Sequence, residues 1–166
     1  MVIMTEDQLK QLSATLKSQF PLHEISSPHA PDHWERVERY GILLSSRTGA
    51  DLLVVRLFSI FHDCRRMNDA IDREHGPRAA DLACQMCGDA FELEPWQLEK
   101  LVQACREHDN GRTSSDPTVG SCWDADRLDL DRIGIMPKSQ FMSTDYGRIL
   151  AEMRPRDRQK LAGITA

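Results

Sequence analysis

Several absences bound what this chain is. The opening MVIMTEDQLK has neither a basic n-region nor an apolar h-region, so no secretory signal is read and a cytoplasmic protein is expected. The most apolar stretch, LLVVRLFSIF at 52–61, is about half the roughly 20 residues of a membrane span and carries Arg56. Positive charge is not in excess: 21 Lys and Arg stand against 26 Asp and Glu, a net charge of −5. That argues against the basic footprint of a dedicated nucleic-acid binder, so no nucleic-acid partner is expected. A phosphorylated small molecule needs only a few local arginines and stays open as a partner. No second CxxC accompanies Cys84-Gln-Met-Cys87, which lies in a helical pattern, so a structural zinc or redox role is not assigned to it. Five cysteines, an odd count without a signal, read as reduced and mostly buried thiols. Aromatic residues make up only 6% of the chain, and no repeat or low-complexity tract is present.

No segment alternates as a half-buried strand does, and helical spacing recurs throughout. Thr5 followed by Gln8 forms a capping-box pattern ahead of Leu9, Leu12 and Leu16, which predicts a helix over 5–19. A second helix opens near Pro31-Asp32, with Trp34, Val37, Tyr40 and Leu44 on one face and Gly49 as its C-cap. Asp51 caps a third, apolar nearly all round and therefore central. Residues 77–90 and Glu94 to about His108 suit a fourth and a fifth. NGRTSSDPTVG at 110–120 reads as a loop, SCWDADRLDLDRIGI returns to helical spacing, and a last helix lies within 143–154. The tail from 155 to 166 reads as frayed. The expected fold is all-α, a bundle of about six to eight helices in one domain spanning 1–166.

The polar groups at the edge of that core carry the chemistry. The central helix ends in His62-Asp63, and an ionised carboxylate near a core costs several kcal/mol unless it is paired or bound to a metal. Imidazole plus carboxylate is a good ligand pair for first-row metals. His33 sits in the first turn of the second helix, and a short turn joins that helix to the third. The two should pack antiparallel, which brings His33 and the His62-Asp63 pair to one end of the hairpin. Asp124 and Asp126, set among Trp123, Leu128 and Leu130, add two more carboxylates that need partners. Asp124 suits a helix N-terminus, whereas Asp126 lies deeper in the apolar pattern. Read without a ligand, Asp63 would pair with Arg65 or Arg66, and His62 would be an edge histidine.

The order His33, His62-Asp63, Asp126 resembles the HD superfamily of metal-dependent phosphohydrolases, over roughly residues 30–135. The resemblance implies an all-α HD-domain-like bundle in which these four residues hold a divalent metal: manganese, iron, cobalt, nickel, zinc or magnesium. The segment CWDADRLDLDRIG at 122–134 looks like the family's terminal aspartate motif, which selects Asp126 as ligand and leaves Asp124 behind it as support. His75 and His108 fall where binuclear members complete a second metal site, and they are candidates for that role or for a phosphate contact. The sequence departs from the family's better-understood branches. No acidic residue follows the His-Asp pair shortly, so the general acid/base is unassigned, and no glycine-tyrosine-proline motif follows His108, which argues against a cyclic-dinucleotide phosphodiesterase.

The implied activity is hydrolysis of a phosphoester of a small molecule, a nucleotide among the candidates, by metal-activated water. Arg65 and Arg66 follow the metal pair and are candidate phosphate contacts. Arg36, one turn from His33, reads as a surface residue with reach into the same pocket as the alternative, Arg127 as a substrate contact or a partner of Asp124 or Asp131, and His23 and His29 fall in a loop without assignment. Two alternatives stand: an HD-type di-iron oxygenase with the same ligand set, and a non-catalytic metal-bearing sensor or interaction domain.

Overall fold

The structure, a computed structural model, describes residues 4–165. Each early helix begins at its sequence signal. In α1 (Glu6–Ser18) the N–H of Gln8 donates to Thr5 Oγ1 and Gln8 Oε1 accepts from the Thr5 N–H at 2.8 Å, closing the capping box. Its buried stripe is Leu9, Leu12 and Leu16. Helix α2 (Pro31–Thr48) has Pro31 at its first position and ends at Gly49 with φ 73°, a left-handed conformation that glycine adopts without penalty. Asp51 then caps α3 (Leu52–Phe61) by accepting from the Val54 N–H at 2.9 Å. Every residue of α3 from Leu57 to Phe61 is buried.

Helices α4 (His75–Met86) and α5 (Pro95–Glu107) pack on each other, and α5 also packs on α3. Helix α6 (Pro117–Leu128) lies against α2, α3, α5 and α7 and is buried on nearly every side. It is a second central helix. It also takes in 117–120, read from sequence as loop. Asp116 accepts from the N–H groups of Thr118 and Val119, so Pro117 starts the helix instead of ending a loop. A 3₁₀ turn over Leu130–Ile133 follows, then a 3₁₀ turn over Ser139–Phe141 and α7 (Asp145–Glu152), capped by Thr144.

The tail differs from its expectation. Residues Pro155–Leu161 form α8, with Arg158 fully buried. Its guanidinium donates to Asp131 Oδ2 at 2.8 Å and to the Met153 carbonyl at 3.1 Å, anchoring a segment whose sequence is otherwise polar. Among the described residues there is no strand, only an isolated bridge between Cys87 and Phe91. The core is one contiguous apolar cluster drawn from α1 to α7. Cys64, Cys105 and Cys122 are buried within it, and burial pushes their thiols up, that of Cys64 to about 12. Cys84 is exposed and Cys87 half-buried, and all five cysteines are free. No described helix is long and apolar enough to cross a membrane.

Candidate metal centre

Five helices deliver their ends to one place. His33 lies in the first turn of α2, His62 caps the C-terminus of α3 with Asp63 just beyond, His75 opens α4, His108 caps α5, and Asp126 lies in the last turn of α6. The four histidines are all but fully buried, and Asp63 is 3% exposed. The α4–α5 approach depends on Gly76: a Cβ there would stand 2.6 Å from the Cys105 carbonyl oxygen. That close contact lets His75 and His108 face each other.

The outer nitrogen of each ring is occupied. His33 Nδ1 donates to Asp129 Oδ2 at 2.7 Å, His62 Nδ1 to the Ser59 carbonyl at 3.0 Å, and His108 Nδ1 to the Cys105 carbonyl at 2.7 Å. His75 Nδ1 donates to the Asp72 carbonyl. A neutral ring that donates from Nδ1 presents a bare lone pair at Nε2. These lone pairs converge two by two: His33 and His62 Nε2 are 3.2 Å apart, and His75 and His108 Nε2 are 2.9 Å apart. Two lone pairs at that range repel unless a positive charge lies between them.

Asp63 stands between the pairs. Its Oδ2 is 3.8 Å from His33 Nε2 and 3.6 Å from His62 Nε2, while its Oδ1 is 3.3 Å from His75 Nε2 and 3.7 Å from His108 Nε2. Asp126 Oδ1 adds a donor to the first pair only, 3.2 Å from His33 and 3.8 Å from His62. Two groups of donors result, His33-His62-Asp63 and Asp63-His75-His108, each compact enough to hold a metal ion.

The electrostatics agree with this division. Burial opposes charge on His33, but its bonds with Asp126 and Asp129 outweigh burial and raise its pKa, while burial pushes His62 down to about 3. In the second pair burial is overcome at His108 by Asp63 and Asp126, which raise it to about 9, and burial with the His108 charge lowers His75. Each pair therefore accommodates one positive charge between two nitrogens. Despite burial, Asp63 and Asp126 are held well below the usual carboxylate range, Asp63 by His62, His108 and His29 and Asp126 by His33 and His62. Bare imidazole nitrogens flanking ionised carboxylate oxygens fit a first-row divalent metal.

The remaining candidates separate. Arg66 lines the mouth, its Nε 3.6 Å from Asp63 Oδ1, buried and without a hydrogen-bond partner. Arg65 does not line the cleft and donates to Gln19 Oε1, at the C-terminus of α1, at 2.9 Å. Asp124 touches no candidate ligand. It accepts from the N–H groups of Ser143 and Thr144 and the Thr144 hydroxyl, and so ties α6 to the start of α7. Arg127 pairs with neither Asp124 nor Asp131; it donates to the carbonyls of Phe141 and Arg112.

Sequence reasoning passed over three residues here. Asp129 supports His33 and is gripped in turn by Arg36 Nε at 2.9 Å, so Arg36 takes the inward alternative and not the surface role. His29 donates from Nδ1 to Asp63 Oδ2 at 2.8 Å. Arg132 donates to the Pro28 carbonyl at 2.8 Å and joins the 3₁₀ turn to the His29 loop. Asp129 had a signal, one turn beyond Asp126 on the same motif. His29 lies outside any periodic segment and had none. A cleft of about 380 Å³ opens over the centre, walled by His29, Asp63, Arg66, His75, Asp126 and Arg132 among others.

No protein-family model matches the chain, and no curated protein matches it. Solved structures do. A protein of an uncultured Thermotogales bacterium, called a predicted HD superfamily hydrolase, superposes with a TM-score of 0.69 at 22% identity, over 94% of this chain and 87% of its own. The chain has the HD-domain fold. A Lactobacillus plantarum protein shares that helical arrangement with a TM-score of 0.62 at 19% identity, over 97% of this chain and 96% of its own. In the HD fold described here, five helices point their ends into one cleft.

Proposed function

We propose that the chain is a metal-dependent phosphohydrolase acting on a phosphoester of a small molecule, with His33, His62, Asp63 and Asp126 holding one divalent ion and Asp63, His75 and His108 a second. The observation that carries the reading is the pair of facing Nε2 couples, 3.2 and 2.9 Å apart, with one oxygen of Asp63 turned toward each. When bound, a divalent ion there lowers the pKa of a coordinated water to about 7 in favourable cases and polarises a phosphoryl oxygen.

The chain's own residues supply the rest. Asp129 and the backbone carbonyls hold each imidazole in the tautomer that presents Nε2. Arg66 Nε, buried without a hydrogen-bond partner, offers its N–H to a phosphate oxygen in the cleft. His29 holds Asp63 Oδ2 and walls the same cleft. The near-complete burial of the four histidines keeps bulk water off the ligands.

The test is turnover of p-nitrophenyl phosphate by protein stripped with a chelator and reloaded with manganese, iron, cobalt, nickel, zinc or magnesium in turn. Activity is expected to return with at least one ion, and Arg66→Ala to raise KM severalfold while Arg65→Ala leaves it unchanged. No hydrolysis with any ion, against a broad panel of phosphoesters, overturns the reading. Asp63 facing both donor pairs also favours a second reading, a di-iron oxygenase, which would require two bound irons and oxygen-dependent turnover.

A further inference from the structure

A second cleft, of about 340 Å³, adjoins the metal cleft and shares Gly111, Arg127 and Leu130 with it as a common wall. Its character is different. Leu130, Ile135, Met136, Pro137, Phe141 and Met142 line it, and Lys138 is its one further charged residue. Ile135, Met136 and Phe141 each leave about half of their surface exposed, at 52%, 51% and 48%. Arg127, at the junction, does not fill the cleft with charge. Its guanidinium is spent on the carbonyls of Phe141 and Arg112, so it ties the segments on either side of the shared wall to each other. The volume is that of a small-ligand site.

We propose that this cleft seats an apolar part of the same substrate whose phosphate lies at the metal centre, so that the substrate class is a phosphomonoester of an apolar alcohol. The proposal rests on the phosphohydrolase reading for the phosphate and on the adjacency of the two clefts, which share Gly111, Arg127 and Leu130, for the rest. An apolar chain leaving the phosphate passes the Arg127 wall and covers the exposed faces of Ile135, Met136 and Phe141. The reaction balances simply: water adds to phosphorus, the P–O bond to the alcohol breaks, and the alcohol oxygen takes a proton.

The experiment compares ethyl, butyl and hexyl monophosphates, whose leaving alcohols have similar basicity, so differences report contacts with the chain. A fully buried methylene is worth about fourfold. An increase in kcat/KM on the order of tenfold or more from ethyl to hexyl is expected. Phe141→Ser and Met136→Ser, both at half-exposed side chains, are expected to abolish that increase and leave ethyl phosphate turnover unchanged. Binding of ethyl- and hexylphosphonate to the metal-loaded protein is measured in parallel by calorimetry. A hexyl preference in binding without turnover of any ester refutes the hydrolase reading and keeps the apolar seat. Equal kcat/KM for all three esters, or equal binding of both phosphonates, overturns the proposal. So does a Phe141→Ser effect confined to the sedimentation of the protein, which would make the cleft a contact between copies of the chain.

Discussion

His33 Nδ1 and Asp129 Oδ2 are 2.7 Å apart, joining the first turn of α2 to the residue that ends α6. The bond fixes the ring plane of His33 and leaves Nε2 bare. Removing the charge while keeping the shape tests it. Asp129→Asn is expected to fold normally and to lose about 10- to 100-fold in metal affinity, read by competition with a chromophoric chelator.

The two donor groups share Asp63 but not Asp126. Metal content by mass spectrometry therefore distinguishes the two carboxylates. Asp63→Ala should empty both positions. Asp126→Ala should spare the ion at His75 and His108, leaving about half the metal of the parent protein. Equal loss in the two variants would point to one mononuclear site.

Arg158 and Asp131 form a pair in which the guanidinium is fully buried. Arg158→Ala leaves the carboxylate without its counter-charge and is expected to cost on the order of 3 kcal/mol in urea unfolding. The double replacement Arg158→Met with Asp131→Leu should recover much of that loss. A double variant as unstable as the single one would show that the guanidinium acts through its bond to the Met153 carbonyl instead.

Asp116 caps α6, the helix that carries Asp126. Burial alone would raise its pKa, but the Lys100 ammonium and the N–H groups of Val119 and Thr118 outweigh burial and hold it below 3.8. A carboxylate depressed in the folded state stabilises above its unfolded pKa, and the contribution is lost as pH falls through the folded value. Asp116→Ala should therefore cost about 1 kcal/mol at pH 7. The gap from the parent protein should stay constant down to about pH 5 and shrink below pH 3.8.

The early helices were legible because their termini are written locally: Thr5 with Gln8, Pro31, Gly49, Asp51 and Pro95 each mark an end that the structure keeps. The misread ends were those where one residue carries two meanings. The sequence places 117–120 in the loop over 110–120, although proline is also the preferred first residue of a helix. The tail reads as frayed because the partner that orders Arg158 is Asp131, on the far side of the last long loop, and no local pattern announces it. The same holds at the centre. Proximity of His33 to His62-Asp63 followed from a short antiparallel connection, whereas the turning of Arg65 toward Gln19, of Arg36 toward Asp129 and of His29 toward Asp63 is decided by side-chain rotamers at helix ends. Arg65 and Arg66 lie past the end of α3, where no helical spacing sets the direction of either side chain.

The convergence of five helix ends on one spot has a mechanical consequence. An ion held there would act as a rivet, joining segments from residue 33 to residue 126 in addition to the apolar core and the hydrogen bonds that already link them. Its binding free energy would become folding free energy, growing by about 1.4 kcal/mol for each tenfold rise in free metal above the dissociation constant. The melting temperature of this protein would then serve as a gauge of the metal concentration around it, rising with added ion and falling when a chelator withdraws it.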